Sequence, residues 1–350
     1  MIGRRTMYAA VMLAAAIPMA TADGPSRDSR GRPAVEAMSQ ESREAIERSL
    51  AWLAERQEPD GSFGSGGYVG NIAVTSLAGL AFMTAGHMPG QGPYGEVLDK
   101  AIGYVLENTN TSGFIESRRS TTHGPMYSHG FGCLFLAEAY GMTHRPEIRE
   151  KLKKAVLLII SSQNKEGGWR YQPGSLDADL SVTVTQIMAL RAARNAGISV
   201  PREVAAKCTD YVRRSQNADG GFMYMAHGGS SAPPRSAAGV VALYSAGIYE
   251  GKEIEKGLDY LLQNALPLPS SRATRRQSHY FYGHYYAVQA MWQAGGDYWT
   301  RWYPAIRDEL HRTQMPQGFW EDSSVCNEYG TAMAVIILQT PNTHLPIFQK

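Results

Sequence analysis

The chain has 350 residues, 43% hydrophobic and 19% charged, the proportions of a globular protein able to bury a full core in one large domain or two small ones. Its formal charge is +2, and Arg4 and Arg5 at the extreme N-terminus account for the excess. Setting those two aside leaves 32 of the 34 basic residues against 32 acidic ones, and a neutral surface gives no electrostatic hold on nucleic acid or an anionic membrane.

Residues 1–22 read as a secretory signal peptide. Arg4 and Arg5 open it, Met7 to Ala20 is apolar, and Ala20-Thr21-Ala22 is a small-x-small cleavage site. The apolar run is too short to span a bilayer and Pro18 interrupts it. No later segment is long and apolar enough to span. The expectation is cleavage after Ala22 and an exported product, periplasmic or extracellular. Residues 23–40, with Gly24, Pro25, Gly31 and Pro33, form a flexible polar leader. Cys133, Cys208 and Cys326 are too few and odd in number for a disulfide framework, although one pair could bridge.

From there the chain repeats. A helical stretch ends in Gln, a short turn carries Gly and an aromatic, and a second apolar helix follows and stops at small residues. The first copy has apolar residues at helical spacing (Ile46, Leu50, Leu53), the turn Gln57, Gly61, Phe63, and a second helix over Ala73–Gly86. The second has only a weak turn, Gly113-Phe114, before His129–Gly141. The third runs through Leu152, Val156, Ile159 and Ile160 to Gln163, Gly168, Trp169 and then Ser181–Gly197. The fourth has Gln216, Gly221, Phe222 and Ser236–Gly247. In the fifth, Gln263 to Pro269 has lost the Gly-aromatic pair before His284–Gly295. The sixth has Gln314, Gly318, Trp320 and Tyr329–Gln339. Gly just past a helix is a stop signal, because it enters the left-handed conformation cheaply.

This turn resembles the repeat motif of squalene cyclases and protein prenyltransferase β-subunits, from about Arg43 to Thr340. The resemblance implies an all-α fold, an (α/α)6 toroid of six helix hairpins over 41–342, with 343–350 as a C-terminal tail. The Gln is expected to satisfy N–H groups at a helix start and the aromatic to pack over the turn. The six turns are therefore structural.

In such a ring the second helices line a central funnel. Registered on Leu80, Leu136, Leu190, Leu243, Met291 and Ile336, the residues seven upstream are Ala73, His129, Thr183, Ser236, His284 and Tyr329. His129 and His284 thus share a register in repeats that face each other. With Asp179 they are the candidate catalytic residues, His284 for proton transfer and Asp179 as acid or helix cap. Arg235 is the candidate anion partner, and Tyr282, Tyr285, Glu328 and Asn71 are further candidate ligand-binding residues. No metal and no cofactor are assigned. An isoprenoid, a glycan or another small molecule in the cavity is the expected partner, with a protein partner left open.

The chemistries of the resembling families find degraded motifs here. Cyclases of class II protonate an alkene from an Asp-x-Asp-Asp-Thr motif, and Asp177-Ala178-Asp179-Leu180-Ser181 lacks its acidic pair. Protein prenyltransferases hold zinc with Asp-x-Cys and a His, and Arg235-Ser236-Ala237 stands where Asp-x-Cys is wanted. A zinc set from His129, His284 and Cys326 has no close spacing behind it. A polysaccharide lyase could use Arg235, His284, Tyr282 and Asn71, and a glycosidase would need Asp179 and Glu328 as its carboxylate pair. The last alternative is a non-catalytic interaction scaffold.

Overall fold

The computed structural model describes residues 38–120, 124–267, 279–342 and 344–349. The expected signal peptide and most of the leader lie outside these residues, as do Leu268 and Pro269 at the end of the degenerate fifth turn. Twelve α-helices alternate between two layers among the described residues, and no strand occurs. The outer layer holds α1 (Gln40–Ala54), α3 (Gly95–Glu107), α5 (Pro146–Ser162), α7 (Arg202–Arg214), α9 (Lys252–Asn264) and α11 (Gly296–Thr313). The inner layer holds α2 (Ile72–Thr84), α4 (Pro125–Tyr140), α6 (Leu180–Asn195), α8 (Pro233–Ala246), α10 (Tyr280–Ala294) and α12 (Asn327–Gln339).

The two layers differ because their sequences do. Outer α5 buries one stripe, Ile148, Leu152, Ala155, Val156 and Ile159, and leaves its other face to polar residues and the exposed Leu157. Inner α2 is apolar all round and buries every residue except Ala73. Each inner helix packs on the next, and α12 packs back on α2, which closes the ring.

The repeat turns weld outer helix to outer helix. Gln163 Nε2 donates to the carbonyl of Gly167 in its own turn at 2.8 Å and to that of Val204 in α7 at 2.9 Å. Gln57 does the same to Gly61 and Val97, and Gln216 to Gly220 and Glu253. The last copy closes the circle: Gln314 donates to Gly318 and to Ala45 in α1 at 2.8 Å. The glutamines therefore serve carbonyls, not the free N–H groups expected from the sequence. The aromatics behave as expected, since Phe63, Trp169, Phe222 and Trp320 are all fully buried.

A second set of bonds ties each turn to its inner helix and fixes the true register. The N–H of Phe63 donates to Thr75 Oγ1, Trp169 to Thr183 Oγ1, Phe222 to Ser236 Oγ and Trp320 to Thr331 Oγ1, all at 2.9–3.1 Å. In the second repeat Ile115 takes the aromatic's place, and its N–H donates to His129 Nδ1 at 3.1 Å. The equivalent positions are thus Thr75, His129, Thr183, Ser236 and Thr331. The registration on apolar centres slips by two residues in the first and sixth repeats, where it selects Ala73 and Tyr329.

The C-terminal ends of the inner helices are stopped by the tail. Leu345, Ile347 and Phe348 are buried there. Gln293 Nε2 donates to the Phe348 carbonyl at 3.0 Å, Arg191 donates to that of Gln349, and the Ile347 N–H lies near the Glu138 carboxyl. The ring is sealed at this end and open at the other. Cys133, Cys208 and Cys326 are all free and buried, and no described helix is long and apolar enough to cross a membrane.

Candidate functional site

The open end is a funnel of about 690 Å³ at the N-terminal ends of the six inner helices. Its wall contains seven aromatic rings: Tyr68, Tyr127, Phe131, Tyr171, Tyr224, Tyr282 and Tyr329. Ala73, Val74, Pro234 and Val325 add apolar surface, and Asn71, Ser128, Ser181, Ser324, Arg235 and His279 add polar groups. No carboxylate is among the described lining residues.

The wall is built by neighbouring repeats leaning on one another. The carbonyl of Tyr171 accepts from the Met126 N–H in the first turn of α4, and that of Tyr224 accepts from Leu180 at the start of α6. Each loop thereby caps the preceding inner helix and swings its tyrosine over the funnel. The hydroxyls of Tyr171 and Tyr224 are bonded to each other. The hydroxyl of Tyr282 donates to the Ser181 carbonyl at 3.4 Å. Burial holds the phenols of Tyr127, Tyr224 and Tyr282 well above their ordinary range, so they are neutral. With the polar ends engaged, it is mostly ring surface that faces the cavity.

The residues singled out from the sequence fall into different places. Arg235 and Tyr282 line the funnel. Asn71 lines it too, but its Oδ1 caps α2 by accepting from Ala73 and Val74 at 2.9 and 3.2 Å. Tyr285 lies beneath the wall, fully buried, with its ring 6.3 Å from that of Phe131. Glu328 is buried at the start of α12, where its Oε2 accepts from Ser65 Oγ at 2.9 Å. Asp179 caps α6, its Oδ1 accepting from Val182 N–H at 2.9 Å. Its Oδ2 is buried without a partner among the described residues, and burial raises the carboxyl to about 6. Neither Asp179 nor Glu328 lines the funnel.

The two histidines share a register, as expected, but both face the outer layer and not each other. His129 Nδ1 accepts from Ile115, so Nε2 carries the proton and donates to the Ala155 carbonyl of α5 at 3.1 Å. Complete burial lowers it to about 4. His284 packs between the Tyr280 ring at 4.5 Å and the Trp302 ring of α11 at 5.7 Å, and burial lowers it to about 3. The reason is the register itself: this position turns its side chain toward the repeat turn, where four repeats keep Thr or Ser. His129→Leu is therefore expected to leave the Ile115 N–H unpaired and to remove the second bond to the Ala155 carbonyl, at roughly 1–3 kcal/mol by urea denaturation, with funnel affinities unchanged. A loss of ligand binding at full stability would restore His129 to the site. Among the described residues no group of three or more His, Cys, Asp or Glu is placed to hold a metal, and His129, His284 and Cys326 do not converge.

Tyr171 and Tyr224 also belong to the wall, although nothing in the sequence reading singled them out. Both stand two residues after a repeat aromatic, Trp169 and Phe222, so the repeat itself carried the signal. Tyr68, in a short 3-10 turn, has no such marker.

With the ring and its funnel established, comparison with known proteins places them. Residues 114–267 match the model of the prenyltransferase alpha-alpha toroid domain, and the fold is the toroid that this domain describes. No curated protein matches the chain. Among solved structures, a protein from Actinoplanes is similar at 16% identity and TM-score 0.58, covering 87% of this chain and 99% of its own. The type II terpene cyclase MstE from Scytonema is similar at 15% identity and TM-score 0.58, over 88% and 98%. The GH76A α-1,6-mannanase from Salegentibacter sp. HEL1_6 is similar at 9% identity and TM-score 0.61, over 87% and 99%. At these identities the likeness is one of fold.

Proposed function

We propose that the protein binds a small molecule with an extended apolar body, isoprenoid-like in character, in the central funnel. The observation that carries this reading is a wall of seven aromatic rings with no carboxylate, around a cavity of about 690 Å³. Such a wall offers ring faces to an apolar chain. Cleavage of a glycosidic bond would instead need two carboxylates beside the substrate, and both candidates, Asp179 and Glu328, stand outside the lining. The degraded Asp177 to Ser181 motif and the engaged Ser236 hydroxyl agree with binding in place of cyclisation or prenyl transfer. Toroids of similar fold have been seen holding either kind of molecule: an MstE variant with geranylgeranyl dihydroxybenzoate, and a mannanase variant with α-1,6-mannotriose. Export in a soluble form through residues 1–22 belongs to the same proposal, and mass determination of the mature N-terminus tests it.

Calorimetric titration of the full chain with prenyl alcohols of increasing length and with neutral oligosaccharides tests the ligand class. Affinity is expected to rise with prenyl length and to fall about tenfold or more in Tyr282→Ala, which removes one ring from the wall. Binding of the oligosaccharides in place of the alcohols would overturn the apolar assignment in favour of a glycan.

A further inference from the structure

The funnel carries a charge pattern as well as an apolar wall, and the pattern specifies one end of the ligand. All six inner helices run with their N-termini at the funnel. A helix N-terminus carries about half a positive charge in free N–H groups, and six parallel ends add up. No side-chain cap is made at α4, α8, α10 or α12. At α6 and α12 the acids Asp179 and Glu328 stand behind the wall and offset part of this field.

Into this field projects Arg235, in the first turn of α8. Its Nη2 donates to the Ser230 carbonyl at 2.8 Å and its Nε to the Phe222 carbonyl at 3.3 Å. Those two bonds fix the plane of the guanidinium. Nη1 and the second Nη2 hydrogen remain without a protein partner among the described residues, and no ion pair is made there. The described lining residues supply no acid. A half-buried cation with no ion pair among the described residues, set at the rim of an aromatic cup, is placed to meet a negative charge on a ligand.

Resting on the binding reading above, we infer that Arg235 anchors the carboxylate of an amphipathic monocarboxylic acid whose apolar body lies against the tyrosine wall. A carboxylate matches the free edge of the guanidinium, which presents two N–H groups in one plane. One fixed cation suits a single negative charge. A diphosphate would bring several charges to the one arginine among the described lining residues.

The test is titration of the full chain at pH 7 with a C20 polyprenyl carboxylic acid, the matching primary alcohol and the matching diphosphate. The acid is expected to bind at least about tenfold more tightly than the alcohol, the size of a charge-assisted hydrogen bond, and its affinity is expected to fall with added salt. Arg235→Gln should erase the preference for the acid while leaving alcohol affinity in place, and Arg235→Lys should restore part of it. Equal binding of acid and alcohol by the wild type overturns the headgroup assignment and leaves the apolar funnel standing. Tighter binding of the diphosphate overturns it in favour of a polyanion. No binding of any of the three overturns both this inference and the reading on which it rests. The wild-type comparison decides even where a variant fails to fold.

Discussion

Gly167→Ala is expected to destabilise the protein by roughly 3 kcal/mol or more, whereas Gly197→Ala should cost only about 1 kcal/mol. Both glycines have positive φ, 96° and 80° respectively, so both substitutions force an L-residue into the left-handed region. They differ in what surrounds them. A Cβ on Gly167 would stand 2.2 Å from the Lys207 carbonyl oxygen of the neighbouring outer helix, while one on Gly197 meets nothing within 4 Å. Backbone cannot move aside as a side-chain tip can, so the seam between α5 and α7 must open. That would also pull Gln163 from Val204, to which it donates at 2.9 Å. The same collision recurs at Gly61 with Lys100, Gly113 with Lys154, Gly220 with Lys256 and Gly318 with Arg48. Urea denaturation of the two variants checks the difference. Equal costs would mean that the repeat glycines are kept for their φ alone and that the turns do not weld the outer ring.

This weld explains why the fold was legible. A Gln, a Gly four residues on and a buried aromatic two residues later form a local rule, and each part has one geometric job. Ring closure was not legible residue by residue, because it needs Gln314 to find Ala45 across the whole chain. Repeat two also hides its pattern: Thr109 stands in the Gln position and Ile115 in the aromatic one, so attention falls on Phe114, which is only half-buried.

The site was less legible for a physical reason. An inner helix buried on all sides has no amphipathic stripe, so its sequence does not say which side faces the funnel. His129 and His284 look alike in that respect to Tyr282 and Arg235. What separates His129 from them is the hydrogen bond from the preceding turn, visible only when Thr75, Thr183, Ser236 and Thr331 are seen doing the same work, and what separates His284 is its packing against Trp302 of the outer layer. Candidates drawn from helix starts, namely Asn71, Arg235 and Tyr282, do reach the lining. Tyr171 and Tyr224 come from loops, where no helical period could have pointed to them.

Buried ionisable groups also set the protein's response to pH, and between pH 6.5 and 8 the main effect falls at Glu138 under the ring. Burial raises its carboxyl from the ordinary 4.5 to about 8, although the Ile347 N–H and Arg191 pull it down. Between these values the folded protein keeps a proton that the unfolded chain gives up, so stability falls as pH rises from 4.5 to 8. His129 and His284 act in the opposite sense, because burial lowers them to about 4 and 3. Below pH 6.5 the unfolded chain takes up their protons first, and stability falls as pH falls. Asp179, raised to about 6, offsets one of them between pH 6 and 3.8. Stability should therefore peak near pH 6–7, change little down to about pH 4.5, and decline on the alkaline side at about 1.4 kcal/mol per pH unit until pH 8. Glu138→Gln keeps an acceptor for Ile347 and removes the charge. The variant is expected to match the wild type at pH 5 and to exceed it by roughly 2–4 kcal/mol at pH 8.5. A variant that is equally displaced at both pH values would show that Glu138 acts through packing alone. One that loses stability at pH 8.5 would show that the ionised carboxylate holds the C-terminal tail to the inner helices.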